Sequence, residues 1–285
     1  MTYLITGVTG HLGKGILDNL VLQTPKEDIA VLVRSEEKGQ PFAKDGFDVR
    51  IGDYTDKESL EKAFQGITTL MFVSGEPGQE TPRNVQHQNV IAAATKARIK
   101  KIVYTSIPKG ENSDSILAPD HILTEKLIKE SGITYKILRN NWYLENESGI
   151  FQTALAGKGF VYAAGEGQVG WVLRRDLAEA AANALVQPFD ENHILELSGK
   201  AITYQNLYQA FKEATEKDVE EVSLSLDDYK KGLLAAGVPQ DEADFATAIQ
   251  NDIANGALEV TRTDLETLLG RPQTPIAEAI EELLN

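Results

Sequence analysis

The chain of 285 residues contains no cysteine. Disulfide bridges, zinc–thiolate centres and thiol nucleophiles are thereby excluded, which is compatible with a reducing compartment. Histidine is also scarce: His11, His87, His121 and His193 show no metal-ligand spacing and no accompanying carboxylate cluster, so no metal site is expected. Positive charge is in deficit, with 28 lysines and arginines against 43 acidic residues and a net charge of −15. A field of that sign collects neither nucleic-acid phosphates nor an anionic membrane, so any bound phosphate must be held by local donors. Beyond that exclusion the acidity serves solubility. Long apolar runs are missing too, and none approaches the roughly 20 residues a membrane helix needs. The first strand pattern begins at Tyr3, which leaves no room for a signal peptide, and a cytoplasmic protein is expected. Neither a G-x-S-x-G elbow nor a Walker A lysine motif is found.

What the sequence does have is Gly7-x-x-Gly10-x-x-Gly13, between the apolar run Tyr3-Leu4-Ile5 and the helical run Ile16-Leu17-Asp18-Asn19-Leu20-Val21. A strand turning on glycines into a helix points backbone N–H groups and a helix N-terminus at a pyrophosphate. The backbone amides around Thr9, Gly10, His11, Leu12 and Gly13 are the expected phosphate donors. The spacing differs from the common G-x-G-x-x-G fingerprint and matches the variant found in extended and atypical short-chain dehydrogenases.

Strand-like runs at Tyr3–Thr6, Ile29–Arg34, Phe47–Ile51, Thr69–Ser74, Lys101–Ser106 and Thr134–Arg139 alternate with helical runs near 12–23, 56–66, 83–98 and 120–131. This alternation predicts an α/β fold, a Rossmann-type doubly wound parallel sheet covered on both faces. A helical run at 175–187 followed by Ile194–Leu197 is expected to extend the same sheet. Residues 1–147 are read as the dinucleotide-binding domain, to which a strand near 193–198 returns. Residues 148–285 are read mainly as a smaller, mostly helical lobe that builds the substrate pocket, with Val219–Ser225 as an extra strand and Pro275–Leu284 as a final helix.

The tips of the strands suggest which dinucleotide is bound. Arg34 ends the second strand, where an arginine favours the 2′-phosphate of NADP and an acidic residue would favour NAD. Asp28 precedes that strand and lies at the wrong edge; Glu36 and Glu37 follow Arg34 and could reach a ribose. Asp53, in Gly52-Asp53-Tyr54, could accept from the adenine amino group or cap the helix starting near Asp56. Val73-Ser74-Gly75 ends the fourth strand, where a small backbone can pass under the ribose and nicotinamide or simply turn.

These residues, together with Ile5-Thr6-Gly7-Val8-Thr9-Gly10-His11-Leu12-Gly13, Tyr104-Thr105-Ser106, Asp120-His121-Ile122, Thr124-Glu125-Lys126 and Leu138-Arg139-Asn140-Asn141-Trp142-Tyr143-Leu144-Glu145-Asn146, resemble the NmrA-like atypical short-chain dehydrogenases. The resemblance extends through Ala163-Ala164-Gly165 and Arg174-Arg175-Asp176 and covers nearly the whole chain. Within the family it is closest to the bacterial type 2 NADPH:quinone oxidoreductases, with triphenylmethane reductases as near relatives. Val8 departs from the alanine usual there. The resemblance implies an NADPH-dependent reductase without flavin or metal, acting on a quinone or similar flat aromatic acceptor. Tyr54, Val73, Ser74, Gly75, Thr105 and Asn140 would join the glycine turn and Arg34 in holding cofactor; a homodimer stays open.

The superfamily's Tyr-x-x-x-Lys pair would fall on Leu117 and His121, so tyrosine-driven carbonyl chemistry is not expected. Lys126 does not replace the lysine, since five residues at about 100° each place it roughly 140° around the helix from His121. His121 is the ionisable group expected near the nicotinamide, to bind its ribose, polarise the acceptor or donate a proton. Asn141 is taken with it as a catalytic candidate, because an asparagine can bond a carbonyl. Trp142 and Tyr143 offer a stacking face for a flat acceptor, or two core aromatics. Two alternatives remain: a dinucleotide-binding redox sensor without turnover, consistent with the missing tyrosine and lysine, and an azo or triphenylmethane dye reductase.

Overall fold

The computed structural model describes residues 2–76 and 78–285. The chain alternates β1 (Tyr3–Ile5), α1 (His11–Leu20), β2 (Ile29–Val33), α2 (Glu36–Lys44), β3 (Asp48–Ile51), α3 (Lys57–Ala63), β4 (Thr69–Phe72), α4 (Arg83–Lys96), β5 (Lys101–Ser106), α5 (Ala118–Glu130) and β6 (Thr134–Asn140). There follow α6 (Ser148–Leu155), β7 (Phe160–Tyr162), β8 (Gln168–Val169), α7 (Arg174–Val186) and β9 (His193–Leu197). The remainder comprises β10 (Ile202–Thr203), α8 (Tyr204–Thr215), β11 (Glu221–Ser223), α9 (Leu226–Ala235), α10 (Gln240–Ala254), α11 (Leu265–Leu269) and α12 (Ile276–Leu284).

Seven strands form one sheet in the order β3-β2-β1-β4-β5-β6-β9, with every neighbouring pair parallel. This is the doubly wound Rossmann-type arrangement, and the strand order reverses between β1 and β4, where such sheets open a crevice at their carboxyl edge. Strand alternation sorts the core into two layers. Ile5, Val31 and Val103 pack with Ile16 and Leu20 of α1 and Leu177 and Ala181 of α7. Leu4, Leu70 and Ile102 pack on the other face with Leu60, Val90 and Ile128 of α3, α4 and α5. Truncating one such residue, as in Ile16→Ala, costs about 2–5 kcal/mol in lost burial and residual cavity.

The second half crosses back over the boundary drawn after residue 147. The alanine-rich α7 lies against α1, so close that a Cβ on Gly15 would sit 2.9 Å from that of Ala178. Leu265, Leu268 and Leu269 of α11 join the same layer, and β9 closes the sheet beside β6. Residues 174–197 and 265–269 therefore build the half that carries the main sheet as much as the lobe. The lobe has its own core of Phe151, Phe160, Trp171, Tyr204 and Phe211, with short β10–β8 and β11–β7 sheets over it. The strand expected at Val219–Ser225 is the three-residue β11, which pairs with β7 and not with the main sheet. Helix α2 carries no clear periodicity in the sequence: Pro41 interrupts it, and only Gly39 and Phe42 are buried.

Candidate dinucleotide and acceptor site

The loop after β1 has the geometry of a phosphate cradle. Gly7 adopts φ +68° and lies against Val73, so a side chain there would be strained and crowded. Gly13 is required for a different reason: a Cβ would stand 2.2 Å from the Gly7 carbonyl, against which the first turn of α1 packs. Gly10 is the N-cap of α1 and supplies no side-chain cap, which leaves the first-turn amides of His11, Leu12 and Gly13 without partners inside the helix. Thr9, Gly10 and His11 are exposed at the carboxyl edge, while Leu12 and Gly13 are buried and the Gly10 amide donates to the Gly7 carbonyl (2.9 Å).

Arg34, just past β2, is exposed, and among the described residues it forms no ion pair or hydrogen bond, leaving its guanidinium free for an anion. Glu36 and Glu37 occupy the first turn of α2, capped by Ser35, where they complement the helix dipole. Asp28 sits in the turn Lys26–Asp28 that enters β2, at the amino edge of the sheet. Asp53 does not cap α3. That role belongs to Asp56, which accepts from the Ser59 amide. Oδ1 of Asp53 takes the amide and hydroxyl of Thr55 in a local turn. Tyr54 has its hydroxyl engaged inside the protein, 2.5 Å from Thr6 Oγ1 and 2.9 Å from the Val73 carbonyl. It thus braces the ends of β1 and β4 against the loop after β3, and burial raises its phenol well above the ordinary value.

The segment after β4 is held from below. Thr105 Oγ1 accepts the Ser74 amide (2.9 Å), and the Gly75 amide donates to Nε2 of His87 (3.0 Å). His87 is completely buried; its Nδ1 lies 2.8 Å from the Thr124 hydroxyl, which itself donates to the Asp120 carbonyl. The chain of donors fixes His87 as the neutral Nδ1–H tautomer. Burial, with the nearby Arg83 charge, lowers its pKa to about 3. His121 follows on α5, its Nδ1 2.7 Å from the hydroxyl of the buried Tyr104. Burial, then Arg83 and His87, push its pKa well below the ordinary value, so the imidazole is neutral at physiological pH. A neutral imidazole keeps one N–H donor and one acceptor nitrogen, with which it can bind a ribose hydroxyl or polarise an acceptor oxygen.

At the end of β6 the four consecutive candidates separate. Asn140 is 7 % exposed, and its side-chain amide makes no close hydrogen bond among the described residues, its one polar interaction being a looser one with the Tyr143 hydroxyl. Such a group pays a desolvation cost that a ligand's polar atoms would relieve. Asn141 is committed to the frame: Nδ2 donates to Ser198 Oγ (2.9 Å) and the Leu258 carbonyl (3.0 Å), and Oδ1 takes the Trp142 amide (2.7 Å). With both amide hydrogens used it has no donor for an acceptor carbonyl, and the catalytic assignment of Asn141 is withdrawn. Trp142 and Tyr143 do not make one platform, because adjacent residues of extended chain point oppositely. Trp142 leans on the lobe core and donates Nε1 to Glu147 (3.0 Å). Tyr143 packs on the α1–α7 side beneath the Arg174 guanidinium, 5.1 Å from its ring centre.

Comparison with known proteins bears directly on this edge. A family model described as NAD(P)H-binding matches residues 7–188, from the first glycine of the turn to just beyond α7. The chain belongs to that family. It is 37% identical over 283 residues to quinone oxidoreductase 2 of Escherichia coli (strain K12), spanning 99% of this chain and 98% of that protein. The solved structure of an Escherichia coli NADPH-dependent quinone oxidoreductase complexed with NADPH matches with a TM-score of 0.93 at 35% identity over 100% of both chains. Triphenylmethane reductase from Citrobacter sp., complexed with NADP(H), matches with a TM-score of 0.92 at 35% identity over 99% of this chain and 100% of that one. The resemblance drawn from the sequence motifs agrees with both neighbours.

Sequence reasoning missed His87 and Thr124, which hold the Gly75 backbone, and the ion pairs of Arg139. His87 lies in a helix of weak amphipathicity, so its contact with the strand end is invisible until β4, α4 and α5 are assembled. Among the described residues no group of three metal-ligating side chains converges, and no helix is long and apolar enough to cross a membrane.

Proposed function

We propose that the protein is an NADPH-dependent, flavin-independent reductase of quinones or similar flat aromatic acceptors. When bound, NADPH supplies a hydride from its nicotinamide ring. The residues present fit that group. The first-turn amides of α1, after the Gly7–Gly13 turn, would bind the diphosphate, and the unpaired Arg34 guanidinium the 2′-phosphate. The Ser74–Gly75 backbone, held by Thr105 and His87, would lie under the ribose and nicotinamide. The observation that carries the reading is the buried amide of Asn140 at the same edge, which makes no close hydrogen bond within the protein and could pair with the carboxamide or the acceptor carbonyl. The acceptor's proton is assigned to water, since both imidazoles nearby are held neutral. The chain's tasks are then to align the two rings and to exclude solvent.

The test is loss of NADPH absorbance with purified, flavin-free protein and a panel of quinones and triarylmethane dyes, with NADH as control. Rapid quinone-dependent oxidation preferring NADPH is expected. Preference for the dyes would favour the second reading, which the triphenylmethane reductase match supports. Tight NADPH binding without any turnover would overturn the reductase and leave a redox sensor.

A further inference from the structure

Immediately beside Thr105 and Asn140 lies a row of buried charge that the proposed chemistry does not use. Ser106 of β5, Arg139 of β6 and Glu196 of β9 are register partners across three strands. Glu125 of α5, 2 % exposed, closes over this row. Its Oε1 receives Ser106 Oγ (2.7 Å) and Arg139 Nε (3.0 Å), and its Oε2 receives Arg139 Nη2 (2.8 Å). Arg139 Nη1 reaches Glu196 Oε1 (3.0 Å), and Glu196 takes the Lys109 amide besides (3.2 Å). The fork fits only because residue 110 is glycine: a Cβ there would lie 1.9 Å from Nη2.

Joining the strands is not a sufficient reason for this arrangement, because the ladder from Lys101↔Thr134 to Ser106↔Arg139 already fixes β5 on β6. Nor is stability, since a buried ion pair often gives back no more than its desolvation takes. What the ladder cannot set is the height of α5 over the sheet, and the bidentate fork does set it. His121 lies one turn before Glu125 on the same helical face, so a helix pinned at Glu125 is pinned at His121 and its contact with Tyr104. Ser106 and Arg139 are chain neighbours of Thr105 and Asn140, which alternate to the opposite face of the sheet, so the fork reaches that pair through the backbone of β5 and β6.

We propose that Glu125 and Arg139 are positioning residues, holding α5 and the two strand ends so that His121, Thr105 and Asn140 meet nicotinamide and acceptor in reactive register. The proposal rests on the reductase reading. It is tested with the triple variant Glu125→Leu/Arg139→Met/Glu196→Gln, which removes all three charges of the row and strands none of them. The expected result is a melting temperature and NADPH Kd near those of the parent, with kcat lower by on the order of a hundredfold. The primary isotope effect with NADPH deuterated at the transferred C4 position should rise, and the His121 imidazole proton resonance should move. A kcat within about twofold of the parent, with an unmoved resonance, would overturn the proposal. Should the triple variant fail to fold, Glu125→Gln keeps the shape and decides in the same way: lower kcat at unchanged melting temperature supports positioning, and unchanged kcat overturns it. If the parent binds NADPH but reduces none of the quinones or dyes, the reductase reading falls, while the His121 resonance still reports whether the pair places α5.

Discussion

Arg34 and His121 carry opposite electrostatic situations, and each leads to a measurement. Arg34 is exposed with its charge unmatched, so its worth depends on whether a phosphate arrives. A charge-assisted hydrogen bond contributes about 1.5–3 kcal/mol, so Arg34→Ala should raise the KM for NADPH by roughly ten- to a hundredfold. The KM for NADH, which lacks the 2′-phosphate, should barely change; equal losses would remove Arg34 from the 2′-phosphate site. His121 is buried and kept neutral by its surroundings. If water supplies the acceptor's proton, kcat should show no inflection near the ordinary histidine pKa of about 6.5. His121→Gln should then lower kcat through lost placement while leaving the pH profile flat. An inflection that disappears in the variant would restore His121 as an acid.

At the scale of elements, the turn between β1 and α1 is the least tolerant piece. Gly13→Ala would drive a methyl into the Gly7 carbonyl, displacing α1 or the cradle. Isothermal titration should find NADPH binding weakened at least about tenfold, because the amides of α1 would no longer converge on one diphosphate. Unaltered affinity would mean that the diphosphate is not held there. The turn was legible in the sequence because its glycines are adjacent in the chain and bracketed by a strand and a helix. The alternation of β1 to β6 was legible for the same reason, as each buried parallel strand is a short apolar run between turns. The separation of Asn140 from Asn141 was not. Both are asparagines at one strand end, and only the distant Ser198 and Leu258 determine that one is satisfied while the other makes no close hydrogen bond. Likewise Tyr54 reads as a ligand by position, yet its hydroxyl closes on Thr6 and Val73, partners from two other strand ends. Contacts spanning many residues leave no periodic trace.

For the whole molecule, three buried groups pull stability in opposite directions with pH, and the lobe supplies one of them. Glu147 receives both indole N–H groups of Trp142 and Trp171 and the Tyr204 hydroxyl at the centre of the lobe core. Burial raises its pKa from 4.5 to about 7 despite those donors. A carboxyl raised in the folded state contributes stability that is fully present below its unfolded pKa and is lost as pH rises toward the folded value. Between about pH 4.5 and 7 this one group should therefore cost roughly 3 kcal/mol. His87 and His121 have the reverse sign: lowered in the fold, they support stability above the unfolded histidine pKa and lose it on acidification. The parent's melting temperature mixes both terms, so the informative quantity is its difference from Glu147→Gln. The amide keeps an oxygen for the two indoles and an NH2 for the Tyr204 oxygen, but it cannot ionise. Calorimetry should find the variant more stable than the parent at about pH 8, with the gap closing toward about pH 4.5. A gap independent of pH would show that Glu147 does not titrate within that window, and that the lobe is held by a carboxylate its three donors fully satisfy.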